Sequence, residues 1–178
     1  MKTPSVRKLV TAALFAALTC VATLVIQIRI APTGGYINIG DCIVLIAAWT
    51  LSPFYGAAAA GIGSMLADLI AGAALYAPAT FVIKACMALF GGMVFRTISK
   101  HPSQKMFFGC LCSALTAEAI MVFGYCGFEW FLLGLGPAAL AGMPGNLIQA
   151  ACGCISSIAV YLLMRRNTTL CHTLDHLH

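Results

Sequence analysis

Six long apolar runs, at roughly 7–29, 41–52, 54–73, 78–97, 105–126 and 138–164, leave little room in this chain for anything else. They are bounded by proline, glycine and charge, and most approach the ~20 residues that an α-helix needs to cross a bilayer. With 61% hydrophobic and only 8% charged residues, an ordinary water-soluble domain is excluded. The runs predict an all-α integral membrane protein, a bundle of six transmembrane helices forming a single domain over 1–178. The second run is short. LSPFYG at 51–56 is a tight turn, so helices 2 and 3 are expected to be antiparallel neighbours. MKTPSVRKLV carries the charge of a secretory leader, but the apolar run behind it continues to about Ile28 without a clear cleavage site, and it reads as helix 1.

The distribution of basic residues orients the bundle. Lys2, Arg7, Lys8, Arg96, Lys100, Lys105, Arg165 and Arg166, eight of the ten Lys and Arg, fall on one side, whereas Arg29 lies at the other and Lys84 within a span. The positive-inside rule then makes both termini of this multi-pass protein cytoplasmic. The net charge of +5 is thus a topology signal rather than a nucleic-acid surface. Nine cysteines, odd in number and without a CxxC, read as small apolar packing residues, so no metal is expected. His172 and His176 have the helical spacing of a metal pair, but a solvated tail explains them as well.

Against this background the polar residues inside the runs need a reason, because a charge in a bilayer is expensive unless it faces a partner or a cavity. Counting ~1.5 Å per residue puts Asp68 roughly 7 Å, Lys84 about 9 Å and Glu118 about 12 Å below the outer ends of their helices, with Asn146 and Gln149 at a similar depth on helix 6. Above them lies GGYINIGD, 34–41, whose alternation suits an extended segment over the helices. Its Asn38 and Asp41 sit at the start of helix 2. A small polar molecule entering from outside would meet Tyr36, Asn38, Asp41, Tyr76, Lys84, Glu118, Asn146 and Gln149, with Trp130 as a further aromatic face. Bland readings stand beside this one. Asp68 can be a ligand contact or can form a structural ion pair with Lys84, Asp41 can be a helix cap, and Asn146 and Gln149 can be interhelical glue.

Helix 1 carries Ala12, Ala13, Ala16 and Ala17, and helix 3 carries Ala59, Gly63 and Ala67; both are small-xxx-small ridges that let backbones approach. For helix 3 the spacing suggests internal packing. For helix 1, internal packing and docking of a partner fit equally well.

GGYINIGD, LSPFYGAAAAGIGSMLADLIAG, YAPATFVIKACMAL and the late PGNLIQAACG together resemble the substrate-binding S components of energy-coupling factor (ECF) vitamin transporters. The resemblance covers all six helices and is densest over 34–92. Closest is the group assigned riboflavin, hydroxymethylpyrimidine or pyridoxine-like substrates. It implies a vitamin-binding subunit that works with a transmembrane coupling subunit and two cytoplasmic ATPases, the ATP being used by those partners and no cofactor held in this chain, which has no GxxxxGK[ST]. It also implies that the alanine face of helix 1, Ala12, Ala13, Ala16 and Ala17, docks onto the coupling subunit. The 34–41 stretch then reads as a mobile lid over the ligand.

Two other classes compete. A stand-alone proton-coupled carrier would use Asp68, Glu118 and Lys84 as a relay, but no inverted repeat is evident. An integral-membrane enzyme would use Glu118 as a base, but its histidines (His101, His172, His176, His178) all lie on the cytoplasmic side, away from the polar cluster.

Overall fold

The structure is a computed structural model describing residues 6–29, 35–99 and 106–166. Gly34, Lys2, Lys100, Lys105 and all four histidines lie outside the described residues. Helix α1 (Val6–Val25) leads into a two-stranded hairpin, β1 (Gln27–Arg29) and β2 (Tyr36–Asn38), followed by α2 (Gly40–Thr50), α3 (Pro53–Ile70), α4 (Ala77–Ile98), α5 (Met106–Gly127) and α6 (Met143–Arg166). A π-helical turn, Phe128–Leu132, and a 3-10 segment, Gly136–Gly142, join α5 to α6. The extended segment expected near Tyr36 is present. Its partner was hidden in the sequence, because Gln27–Arg29 reads as the end of helix 1 yet pairs antiparallel with Tyr36–Asn38, Ile28 opposite Ile37.

Five helices are long and apolar enough to span a membrane. Helix α2 is not: its 11 residues rise only ~16 Å against a ~30 Å hydrocarbon core. Instead it lies at the centre of the bundle, in contact with every other helix, and Val44 to Thr50 are all buried. Leu45, Ala48 and Trp49 pack there with Met87 and Phe95 of α4, Met121 of α5 and Tyr161 of α6. The Trp49 indole N–H donates to Ser113 Oγ at 2.8 Å, and that hydroxyl donates to the Gly91 carbonyl at 2.6 Å, so the one polar atom of the largest core side chain is satisfied.

A helix that stops inside the bundle leaves its last carbonyls without intrahelical partners and away from water. Arg96 of α4 answers this, its guanidinium donating to the carbonyls of Leu51, Ala48 (3.3 Å) and Gly92 (2.7 Å). A cation at the helix C-terminus also opposes the partial negative charge there.

Helices α1 and α3 meet where glycine is required: a Cβ on Gly63 would run into the Ala16 carbonyl and lie 2.9 Å from Thr19 Cβ. The ridge on α3 is therefore internal packing. The ridge on α1 divides. Ala12 is buried in a cluster with Ala47, Leu51 and Ala59, and Ala16 packs against it, whereas Ala13 and Ala17 are exposed. Of the four alanines, then, Ala12 is buried against α2 and α3, Ala16 is half-buried beside it, and Ala13 and Ala17 face outward. The remaining outer surface is apolar, with Leu9, Leu14, Leu18, Phe123 and Leu163 exposed as lipid requires.

Replacing Arg96 with Met keeps the apolar stem but leaves the C-terminal carbonyls of α2 unpartnered. The expected loss is about 2 kcal/mol, read as a lower melting temperature of the detergent-purified protein, with Arg96→Lys losing less. An unchanged melting temperature for Arg96→Met would show that the contact does not hold α2.

Candidate ligand-binding site

Both connections that follow α3 and α5, and the β-hairpin, lie at the same end of the bundle, the end opposite Arg7, Arg96 and Arg165. Beneath the hairpin is a cavity with an empty volume of about 480 Å³, its mouth included. Because α2 is short, its N-terminus starts inside the bundle rather than at its rim, and the helices around it turn polar residues inward at helical spacing. Ser64 and Asp68 of α3, Thr80 and Lys84 of α4, and Asn146 and Gln149 of α6 each sit about one turn apart on a single face. Thr23 of α1, Gly35, Tyr36 and Asn38 of the hairpin, Tyr76, Tyr125 and Glu129 complete the wall.

The deepest contact is an ion pair between Lys84 Nζ and Asp41 Oδ1, both side chains almost fully buried. Gln149 Nε2 donates to the other Asp41 oxygen at 2.6 Å, and Gln149 Oε1 accepts the Asn38 backbone N–H at 2.8 Å. Asn38 Oδ1 in turn accepts the Gly40 N–H at 2.8 Å, satisfying a donor at the start of α2. The chain of contacts Lys84, Asp41, Gln149, Asn38 therefore ties α4, α2, α6 and the hairpin together.

The expected pair of Lys84 with Asp68 is not formed. Equal depth was the ground for it, but Asp41 enters the bundle at that same depth from the inner helix, and the lysine turns to it. Asp68 Oδ1 instead accepts the Tyr36 hydroxyl. Burial first, and then Asp68, push the Tyr36 phenol well above its usual ionisation range, so it stays a donor. Nor is Asp41 a side-chain cap. Ile39 occupies the cap position without a side-chain bond, and Asp41 sits in the first turn with its carboxylate spent on Lys84 and Gln149.

Of the residues singled out from sequence, Tyr36, Asn38, Asp68, Tyr76, Lys84, Asn146 and Gln149 line the cavity. Asp41 and Glu118 do not; they lie behind its wall. Both Glu118 oxygens are buried without a hydrogen-bond partner, within the fields of Asp41 and Lys84. Gly153 of α6 passes so close that a Cβ there would strike Glu118 Oε1 and lie 3.0 Å from Asp41 Cβ. Trp130 packs beside Phe131 and is not part of the wall.

Five wall residues escaped the sequence reading: Thr23, Ser64, Thr80, Tyr125 and Glu129. Glu129 was assigned to an outer loop, whereas it is buried and accepts the Tyr76 hydroxyl at 3.1 Å. Its signal was the stripe Glu118, Val122, Tyr125, Glu129, stepping by four, three and four along one face past the expected end of the helix. Tyr125 bonds Thr80 at 3.0 Å and lies 5.7 Å from Lys84 Nζ at its ring centroid, within cation–π range.

The sequence model of the family described as "ECF-type riboflavin transporter, S component" matches residues 3–166. A Pyrococcus woesei protein described as "Uncharacterized protein in gap 3'region" is 30% identical over 147 residues, 82% of this chain and 94% of that protein. A solved structure described as "Structure and mechanism of the S component of a bacterial ECF transporter" shares the fold, with a TM-score of 0.63 at 22% identity over 90% of this chain and 94% of that one.

The buried pair makes an asymmetric prediction. Lys84→Met leaves Asp41 and Glu118 facing each other without a cation, whereas Asp41→Asn leaves Lys84 with Glu118 nearby. Lys84→Met should lose about 3 kcal/mol of stability, Asp41→Asn less, and the double variant less than Lys84→Met alone. Thermal unfolding of the four proteins checks this order, and additive losses would rule out the coupling.

Proposed function

The chain belongs to the family of ECF-type riboflavin transporter S components, membrane subunits whose family and fold are those of a vitamin-binding transporter component and not of an enzyme, and on that premise we propose that it captures riboflavin from outside and delivers it inward as part of an ATP-driven ECF complex. The observation that carries the reading is the cavity. It combines three tyrosine rings (Tyr36, Tyr76, Tyr125) with donors on Lys84, Asn146 and Gln149 and acceptors on Asp68 and Glu129, the mixture that a planar heteroaromatic ring with polar substituents demands. Pyridoxine and hydroxymethylpyrimidine share that chemistry in smaller form and are the ligands to compare.

In this reading the hairpin end faces outward and both termini are cytoplasmic, in keeping with the basic residues that cluster at the opposite end. Energy comes from two cytoplasmic ATPases through a transmembrane coupling subunit. Ala13 and Ala17, small and exposed on α1, are the side chains against which a partner helix can approach closely in lipid. The ligand wall draws mainly on other elements, so binding and docking are separable.

Two measurements test the proposal. Mass spectrometry of the detergent-purified protein should recover an unmodified vitamin, and added riboflavin should lose fluorescence on stacking against the tyrosines. Recovery of pyridoxine or hydroxymethylpyrimidine alone would reassign the ligand, and no binding of any of the three would sink the reading. Ala17→Leu should leave riboflavin affinity within about twofold while ATP-dependent uptake with co-expressed coupling subunits falls at least ~10-fold, since a bulky side chain forfeits backbone approach. Unchanged uptake would move the docking surface elsewhere.

A further inference from the structure

Hydroxyl-bearing side chains inside membrane helices ordinarily return their proton to the carbonyl one turn back. Thr19, Thr50, Thr97, Thr116 and Ser156 all do so here, at 2.6–2.9 Å. Ser64 does not. It is 1% exposed, lines the cavity, and its Oγ has no hydrogen-bond partner among the described residues. One turn further along α3, Asp68 is 3% exposed and lines the same cavity. Its Oδ1 accepts the Tyr36 hydroxyl and the Thr80 hydroxyl lies beside the carboxylate, but Oδ2 makes no hydrogen bond of normal geometry.

Two buried polar groups left unsatisfied on one face of one helix are expensive unless something fills them. From their placement we infer that Ser64 and Asp68 form an acceptor subsite for the hydroxyl groups of the ligand. This rests on the reading of the cavity as a vitamin site and assigns to it the end of the molecule that carries alcohols. The chemistry is directional. With Oδ1 occupied by a phenol that donates, Asp68 Oδ2 accepts a second proton donor, and Ser64 Oγ, free to rotate, accepts from or donates to a neighbouring hydroxyl. Side chains at i and i+4 are about 5–6 Å apart, the separation that hydroxyls spread along a short polyol chain can bridge.

The donors of the wall stand on other helices. Asn146, Lys84 and Gln149 line the cavity from α6 and α4; Lys84 and Gln149 each give one N–H to Asp41 and retain others, suited like the Asn146 amide to ring carbonyls and ring nitrogens. The cavity therefore presents unsatisfied acceptors on α3 together with N–H donors on α4 and α6, and it selects ligands by their hydroxyls as well as by their ring. Because Tyr36 shares the Asp68 carboxyl, a hydroxyl seated on Oδ2 also sits beside the hairpin.

The test uses ligand pairs that share a carbon skeleton and differ only in hydroxyl content: riboflavin against 7,8-dimethyl-10-pentylisoalloxazine, whose five-carbon chain carries no hydroxyl, and pyridoxine against 4-deoxypyridoxine. Two variants are compared with the unaltered protein, Ser64→Ala and Asp68→Asn. The asparagine keeps the acceptor for Tyr36 but replaces the second oxygen with a donor. For whichever pair binds, the unaltered protein should prefer the hydroxylated member. Each variant should weaken that member about 10-fold and leave the other within about twofold, so that the preference collapses. Equal affinity of the unaltered protein for both members, or parallel loss of both in the variants, overturns the subsite and leaves the vitamin reading standing. Failure of the unaltered protein to bind either pair overturns the reading and the subsite together. Should Asp68→Asn fold poorly, judged by gel filtration and melting, Ser64→Ala decides alone, since it removes one oxygen and no packing atom.

Discussion

A helix that begins and ends inside a membrane protein is the constraint to which the rest of this structure answers. Helix α2 contacts every other helix, and with Asp41 and Val44 to Leu51 buried, its first-turn acid and its last carbonyls need partners within the protein. The solution comes largely from one neighbour. Helix α4 carries Lys84 and Arg96, 12 positions and hence ~18 Å apart, while Asp41 and Leu51 at the two ends of α2 are ten positions and ~15 Å apart. The two cations bracket the inner helix, one meeting the acid of its first turn and the other its terminal carbonyls. A buried ion pair is weak evidence for net stability in general. Here its partners sit on different helices, together with Gln149 and Asn38, so its effect is to fix the register of α2 against α4 and α6.

That bracketing also produces the cavity. Since α2 begins below the level at which its neighbours end, space opens above its N-terminus, lined by whatever the taller helices turn inward. The β-hairpin lies over that space rather than standing away from it. Tyr36 reaches Asp68 on α3 and the Asn38 backbone reaches Gln149 on α6, so the described part of the 34–41 stretch is anchored at two points to the helices that wall the cavity. The two groups that hold the hairpin, Asp68 and Gln149, are at the same time groups of the cavity wall.

Helix number, the short second helix and the extended segment before it were legible in the sequence because apolar run length and polar alternation are local signals. The cluster of Asp68, Lys84, Asn146 and Gln149 near one depth was legible for the same reason, depth being simple arithmetic on helix rise. Azimuth was not. Which acid faces Lys84 depends on how α2 and α3 are rotated in the bundle, and counting cannot distinguish Asp41 from Asp68 when both lie at its level. Rotation likewise divides Ala12 and Ala16 from Ala13 and Ala17 on α1. Glu129 was missed by a boundary error of a few residues: the helix was ended near the glycine at 127, whereas the chain continues as a π-helical turn that swings the glutamate inward.

The chain has five acidic residues, and four of them, Asp41, Asp68, Glu118 and Glu129, are buried around the cavity with a single lysine. Lysine alone cannot balance such a site, and the structure uses neutral donors instead: Tyr36 for Asp68, Tyr76 for Glu129, and Gln149 beside Lys84 for Asp41. Phenols suit this role because their aromatic bodies pack in the bundle while the hydroxyl serves the acid. A phenol satisfies only one lone pair of a carboxylate that has several. Acids held this way are stabilised enough to fold yet keep acceptor capacity that arginine partners, donating in a bidentate fork, would have used up. The use of tyrosine rather than arginine around this cavity therefore leaves carboxylate acceptor sites open, and it does so with side chains whose rings also form part of the cavity wall.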